Sequence, residues 1–222
     1  MSFGNIFILG DSYSTFEGWI PEGYGCHYTS EGVRMVDGKS VDETEKVCKV
    51  EHTWWHMIAT ETGSSIITNN SCGGSTICNT GYGNQDATHY SFITRLDNFI
   101  KDGFFEKNRI DTFFVFGGTN DSWAGVPIGE PMYADWTQDD LYKAMPAFCY
   151  LLDRLCEKLP DTRVLVLINT GLEPEFEEKY IEICKKYDIE FVKFSNIHKW
   201  DGHPTLTGMK QIKEQIIQTL LK

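Results

Sequence analysis

Five short runs of apolar and β-branched residues, separated by longer stretches of helical character, constrain this chain more than any other feature. The runs are Ile6-Phe7-Ile8-Leu9, then 64–68, 111–116, 163–169 and 189–194. Runs of this length, bounded by Gly, Asn and Asp, read as buried strands. The stretch 53–62 opens on Thr53 as an N-cap and sets Trp54, Met57 and Ile58 on one face. Phe92, Ile93, Leu96, Phe99 and Ile100 recur at helical spacing over 90–100, and Leu141, Met145, Phe148, Leu152 and Leu155 do so over 138–159. A charged helix over 173–187 turns Phe176, Tyr180 and Ile183 inward, and a closing helix opens at Thr205 or Thr207 and runs through Leu221. Strands alternating with helices predict an α/β fold, a flavodoxin-like three-layer α/β/α sandwich on a mainly parallel five-stranded sheet. With 222 residues and no linker, repeat or low-complexity segment, one domain over 1–222 is expected.

Two stretches break the alternation, near 17–52 and 122–137. The first carries Gly18, Pro21, Gly23, Gly25, Gly32 and Gly38 and has room for a hairpin; the second carries Gly125, Pro127, Gly129 and Pro131. Both leave from the carboxyl end of a strand, where open α/β sheets bind ligands, so they are expected to wall a site. Trp19, Tyr24 and Tyr28 can stack on a sugar or line an acyl pocket there, although packing of the loop itself accounts for most of them.

Composition narrows the partners. The formal net charge of −12 and pI of about 4.9 argue against nucleic acid and anionic membrane, which demand a cationic footprint, and suit a neutral small molecule. No stretch approaches an apolar membrane span. The chain enters a strand almost at once without a basic segment and apolar core ahead of it, so a cytoplasmic protein is expected, a removed signal being the alternative. Seven cysteines cannot all pair, and none forms Cys-x-x-Cys, which points to reduced thiols; Cys149 and Cys156, at helical spacing, read as core. Gly38-Lys39-Ser40 lacks the earlier Gly of a phosphate loop, where Val33 stands, and His52 and His56 lack the Glu between them that a zinc protease requires. Gly81-Tyr82-Gly83 matches no dinucleotide fingerprint.

Chemistry concentrates at strand ends. The first strand runs into Gly10-Asp11-Ser12, the second into Asn70-Ser71-Cys72-Gly73-Gly74-Ser75, and the third into Gly117-Gly118-Thr119-Asn120-Asp121; Asp201-Gly202-His203-Pro204 stands near the carboxyl terminus. Their order and spacing resemble the SGNH (GDSL-type) hydrolase family, with Ser12, Gly74, Asn120 and His203 at the four signature positions. That resemblance implies the sandwich already drawn and a serine hydrolase without metal or organic cofactor. Ser12 would be the nucleophile and His203 its base, chosen over His198 by its Gly-His-Pro-Thr setting. The Ser12 N–H, Gly74 N–H and Asn120 amide would form the oxyanion hole, and Asp11 and Asp121 would support the turns. In two respects the chain departs from the family pattern. The acid expected three residues before the histidine is Trp200; Asp201, two before, is the candidate to orient the ring, and a backbone carbonyl is the alternative. Tyr13 also replaces the usual Leu. Small O-acyl esters, carbohydrate O-acetyl groups among them, are the expected substrates. A lipase, lysophospholipase or thioesterase, or a non-catalytic carbohydrate-binding domain, are the alternatives.

Overall fold

The structure, a computed structural model, describes residues 2–32 and 41–221. The Gly38-Lys39-Ser40 segment and Val33 lie outside the described residues.

Strands β1 (Asn5–Gly10), β2 (Ser65–Ser71), β3 (Thr112–Phe116), β4 (Arg163–Ile168) and β5 (Glu190–Lys193) form one sheet in the order β2-β1-β3-β4-β5. Every neighbouring pair is parallel. Period-2 alternation sends Phe7, Leu9, Phe113, Val115, Val164 and Val166 to one face, and Ile6, Ile8, Phe114, Phe116, Leu165 and Leu167 to the other. Helices α2 (Phe92–Lys101), α5 (Ala144–Lys158) and α6 (Pro174–Lys186) cover the first face; α1 (Trp54–Thr62) and α7 (Leu206–Ile217) cover the second. With helices on both faces, the inner strands must be apolar throughout. Both faces of β3 are buried from end to end. This is the sandwich that the alternation predicts.

Several boundaries differ from the sequence reading, each for a physical reason. β2 extends to Ser71 because Asn69, Asn70 and Ser71 pair with Ile8, Leu9 and Gly10, and their polar groups find partners: Asn69 Nδ2 donates to Ser14 O at 2.9 Å, and Ser71 Oγ to Asn69 Oδ1 at 2.6 Å. α5 starts at Ala144, not 138, after a separate 3₁₀ turn over 140–142. Pro146 has no N–H to give and crowds the carbonyl four residues back, so it belongs in a first turn. α7 is capped by Thr205, whose hydroxyl accepts the Gly208 N–H, and gives way to a 3₁₀ turn at Gln218. Two short helices were not expected, α3 (Phe104–Lys107) and α4 (Thr119–Ala124). α4 places Asn120, expected only just past the third strand, in a helical turn. Nor was a hairpin expected between β5 and α7, but β6 (Lys199–Trp200) and β7 (His203–Pro204) form one. Cys156, read as core, is exposed on α5.

The described parts of 17–52 hold short 3₁₀ turns and no strand, so the hairpin allowed for there does not form among them. The aromatics pack: Tyr28 is buried with its hydroxyl donating to Pro204 O at 2.8 Å, Trp19 lies against Trp55, and Tyr24 meets the edge of Tyr90. His52 and His56 show no metal partner set, and no described cluster of three or more His, Cys, Asp or Glu is arranged to hold a metal ion. No described helix is long and apolar enough to cross a membrane.

Candidate active site

Strand order 2-1-3 means the chain leaves β1 toward one side of the sheet and arrives at β3 on the other. Such a switch opens a crevice beyond the carboxyl ends of these two strands. Ser12 stands there, starting a tight 3₁₀ turn over 12–14. Asp11 caps that turn: its Oδ1 accepts the Tyr13 N–H at 3.0 Å, and its own N–H donates to Phe116 O at 3.2 Å, tying the turn to the end of β3. A cavity of about 330 Å³ lies over Ser12, lined by Gly25, Cys26, His27, Gly73, Gly74, Tyr82, Asn120 and His203.

His203 reaches Ser12 across 191 positions of sequence, with Nε2 3.0 Å from Oγ. Its other nitrogen, Nδ1, lies 3.0 Å from the backbone carbonyl of Asp201. A carbonyl can only accept, so Nδ1 carries the proton and Nε2 presents its lone pair to the serine hydroxyl. Burial lowers the pKa of His203 below the ordinary histidine value and Lys199 lowers it further, against the opposing Asp201 hydrogen bond and charge. The ring is therefore neutral at neutral pH and able to accept a proton.

The side chain of Asp201 does not orient the ring, which corrects its assignment as the triad acid. Asp201 and Gly202 are the two-residue loop between β6 and β7, with φ of 46° and 74°. A hairpin loop of two residues with positive φ selects Asp-Gly, because both can adopt that region at low cost. Turn geometry thus accounts for Asp201, and the same geometry turns its carbonyl onto the imidazole two residues on. The hairpin is held on three sides. Tyr13 OH donates to Gly202 O, Tyr28 OH to Pro204 O, and Lys199 Nζ to Asn169 Oδ1 and Thr170 O, both at 3.0 Å. Tyr13 places its hydroxyl where it grips the histidine hairpin.

The oxyanion candidates converge on the same cavity. Gly74 has φ of 78° and open space where a side chain would project, so backbone conformation rather than room requires glycine. Among the described residues neither the Ser12 nor the Gly74 N–H is spent on an acceptor. Asn120, in the first turn of α4, is fixed at both ends of its amide: Nδ2 donates to Ser75 O at 2.9 Å, and Oδ1 accepts from Tyr82 OH at 3.0 Å. One amide N–H is left for the cavity. Asp121 next to it accepts the Ile77 N–H at 2.8 Å and the Cys78 N–H at 3.2 Å, joining α4 to the irregular segment that leads away from Gly74.

Two carboxylates and one guanidinium are buried beneath this floor. Desolvation pushes Asp11 up to about 7, with the Tyr13 hydrogen bond and Arg95 opposing it, and pushes Asp121 up to about 6 against its backbone donors. Arg95, fully buried, donates to Gly10 O at 3.1 Å, Asn70 O at 2.5 Å and Ser75 Oγ at 3.1 Å. It clamps the ends of β1 and β2 to the Gly74 loop. Arg95, Tyr82, Lys199 and His27 escaped the sequence reading, the first as one more polar residue on an amphipathic helix and the others inside loops with no motif. Only the Asp-Gly pair before His203 carried a readable signal.

A model of GDSL-like lipases and acylhydrolases matches residues 4–220. The chain belongs to the GDSL-like lipase/acylhydrolase family. Two GDSL-like lipases, so named provisionally, from Bacteroides ovatus and Bacteroides uniformis are 40% and 41% identical to it. Each superposes with a TM-score of 0.86, and the alignments cover 100% and 98% of this chain and 99% and 95% of theirs. An acetyl xylan esterase, Est2A from Butyrivibrio proteoclasticus, shares the fold at 16% identity and a TM-score of 0.62, over 99% of this chain and 64% of its own. A comparison with curated proteins gives no significant match. A member of this family is an ester hydrolase in the general sense.

Proposed function

We propose that this GDSL-like hydrolase cleaves short O-acyl esters through an acyl-enzyme on Ser12, with acetylated carbohydrate as the substrate class. The observation that carries the reading is the 3.0 Å contact between His203 Nε2 and Ser12 Oγ, with the opposite ring nitrogen on the Asp201 carbonyl. Ser12 Oγ attacks the ester carbonyl carbon as His203 Nε2 takes its proton. The carbonyl oxygen becomes an oxyanion facing the Ser12 and Gly74 N–H groups and the Asn120 amide, donors typically worth about 3–4 kcal/mol each in acyl transfer. Collapse breaks the bond to the alcohol, which leaves with the proton from His203. Water, deprotonated by His203, then attacks the acyl carbonyl and releases the acid and Ser12. A serine–histidine dyad suffices, with a carbonyl in place of the carboxylate.

The cavity supports a short acyl group, and charge and fold likeness support the alcohol. It is small, and none of its lining residues is a branched aliphatic, which favours an acetyl group over a long chain. The acidic surface repels polyanions, and the acetyl xylan esterase that shares the fold supports a carbohydrate alcohol. Hydrolysis of p-nitrophenyl acetate, p-nitrophenyl octanoate and acetylated xylan by the native protein and by Ser12→Ala tests the proposal. Acetate turnover abolished in the variant is expected. Preference for octanoate shifts the substrate to lipids or acyl thioesters. Equal rates for native protein and variant remove Ser12 as nucleophile and leave a carbohydrate-binding module.

A further inference from the structure

His27 comes from the irregular segment after β1, and its ring lies flat on His203: centroids 3.6 Å apart, planes inclined by 12°. The Tyr13 ring stands 5.4 Å from His203 at a tilt of 52°, so the base sits between a stacked imidazole and an inclined phenol. His27 is itself fixed. Its backbone N–H donates to Thr15 Oγ1 at 3.0 Å, and the Tyr28 ring meets it edge-on at 4.6 Å. Its Nε2 is closed off from solvent and has no hydrogen-bond partner among the described residues, so no polar contact accounts for a histidine in this place.

We propose that His27 is a positioning residue for the general base: its face, stacked on His203, holds the imidazole against Ser12 and keeps water off it, supplying the orientation that a carboxylate does not supply here. The inference rests on the dyad reading above. One hydrogen bond to the Asp201 carbonyl fixes the axis through Nδ1 but leaves the ring free to tilt about it. A flat neighbour 3.6 Å away removes that freedom. The groups facing His203 are Ser12, Tyr13 and His27, together with Asp201 and Lys199 of its own hairpin; His27 faces His203, Tyr28 and Thr15. Two imidazolium rings this close repel, so the pair holds at most one proton. Burial and the charge of a protonated His203 drive His27 down to about 3. The proton taken from Ser12 therefore stays on His203, and His27 remains a neutral wall.

His27→Ala opens one face of His203 to water, and His27→Phe keeps a flat ring without a titrating nitrogen. With p-nitrophenyl acetate, kcat of His27→Ala is expected to fall about tenfold or more with KM little changed, a fraction of the 10²–10⁴ that a positioned base contributes. The acid limb of its kcat/KM profile is expected to move up toward the ordinary histidine value as burial is lost. His27→Phe is expected to stay within about threefold of native, with its acid limb in place. Native kcat and limb in His27→Ala overturn the proposal, as does a His27→Phe variant as impaired as His27→Ala. Loss of turnover with an unmoved limb marks a role in folding only and also overturns it. If His27→Ala does not fold, His27→Leu keeps the volume without a flat face and carries the same expectation. NMR titration of the His203 Cε1–H in each variant reads the ring directly. That arm stands even if Ser12→Ala shows hydrolysis to be independent of the serine.

Discussion

Replacing Asp201 by Asn separates a carbonyl-oriented base from a carboxylate-oriented one. Asn tolerates positive φ as Asp does, so the hairpin loop and the backbone carbonyl on His203 Nδ1 survive the change. What disappears is one exposed negative charge. Surface charges of this kind are worth about 1 kcal/mol or less, a factor of about five in rate at most. A carboxylate that sets the tautomer behaves differently: its amide leaves the geometry but costs about 10⁴ in kcat, because the wrong nitrogen carries the proton. Here the carbonyl sets the tautomer and cannot be mutated away. kcat and KM for p-nitrophenyl acetate over pH 5–9 should therefore show Asp201→Asn within about fivefold of native. The sign of the pH effect also follows. The Asp201 charge raises the His203 pKa, so removing it moves the acid limb down or leaves it, never up. A loss of a thousandfold, or an acid limb displaced upward, would refute the reasoning and return the side chain to the catalytic set.

Asn120→Ala removes the amide N–H facing the cavity; kcat should fall by about 10²–10³ with KM nearly constant, because the donor acts on charge that develops only in the transition state. Parallel losses in kcat/KM and thermal stability would assign Asn120 to folding through Ser75 and Tyr82 instead. Asp11→Asn tests the buried carboxyl by thermal melts from pH 5 to 8. Between its ordinary value of 3.8 and about 7 the folded protein holds a proton that the unfolded chain releases, so native stability falls as pH rises through that window. The Asn variant lacks this term, and its Tm advantage should grow with pH and level off above about 7. The difference is at most about 4 kcal/mol at about 1.4 kcal/mol per unit. A Tm difference that does not change with pH would show that Asp11 is not protonated in the folded state.

Sequence alone disclosed what depends on periodicity and left dark what depends on chain crossing. The five strands were readable because a sheet covered on both faces demands unbroken apolar runs, and Thr53 and Thr205 were readable because an orphaned helix N-terminus demands a side-chain acceptor. The meeting of Ser12, Gly74, Asn120 and His203 at one cavity was readable by order along the chain. Arg95 was not, since its value lies in collecting carbonyls from Gly10 and Asn70, distant in sequence and adjacent only after β1 and β2 pair. His27 and Tyr82 were hidden likewise: an irregular segment has no period to break, and what they touch is decided by the ends of other strands.

Asp201 was the opposite case, a residue whose local signal was present but assigned to the wrong cause. Asp-Gly before a short extended pair is a turn signature, and proximity to a catalytic histidine invited a chemical reading of the same two letters. The hairpin resolves the conflict physically. Its two-residue turn fixes the distance from the Asp201 carbonyl to the imidazole, and Tyr13, Tyr28 and Lys199 tie the hairpin to the turn after β1, to the irregular segment beyond it and to the end of β4. Backbone geometry then does what the family's third side chain does elsewhere. On the proposed dyad mechanism, the imidazolium lacks a hydrogen-bonded carboxylate partner, so a larger share of transition-state stabilisation would fall to the oxyanion donors. The hydrogen bonds of Asn120 to Ser75 and Tyr82, and the Arg95 clamp beneath the Gly74 loop, fit that proposal: in a dyad, misplacing the oxyanion hole would leave no second electrostatic partner to compensate.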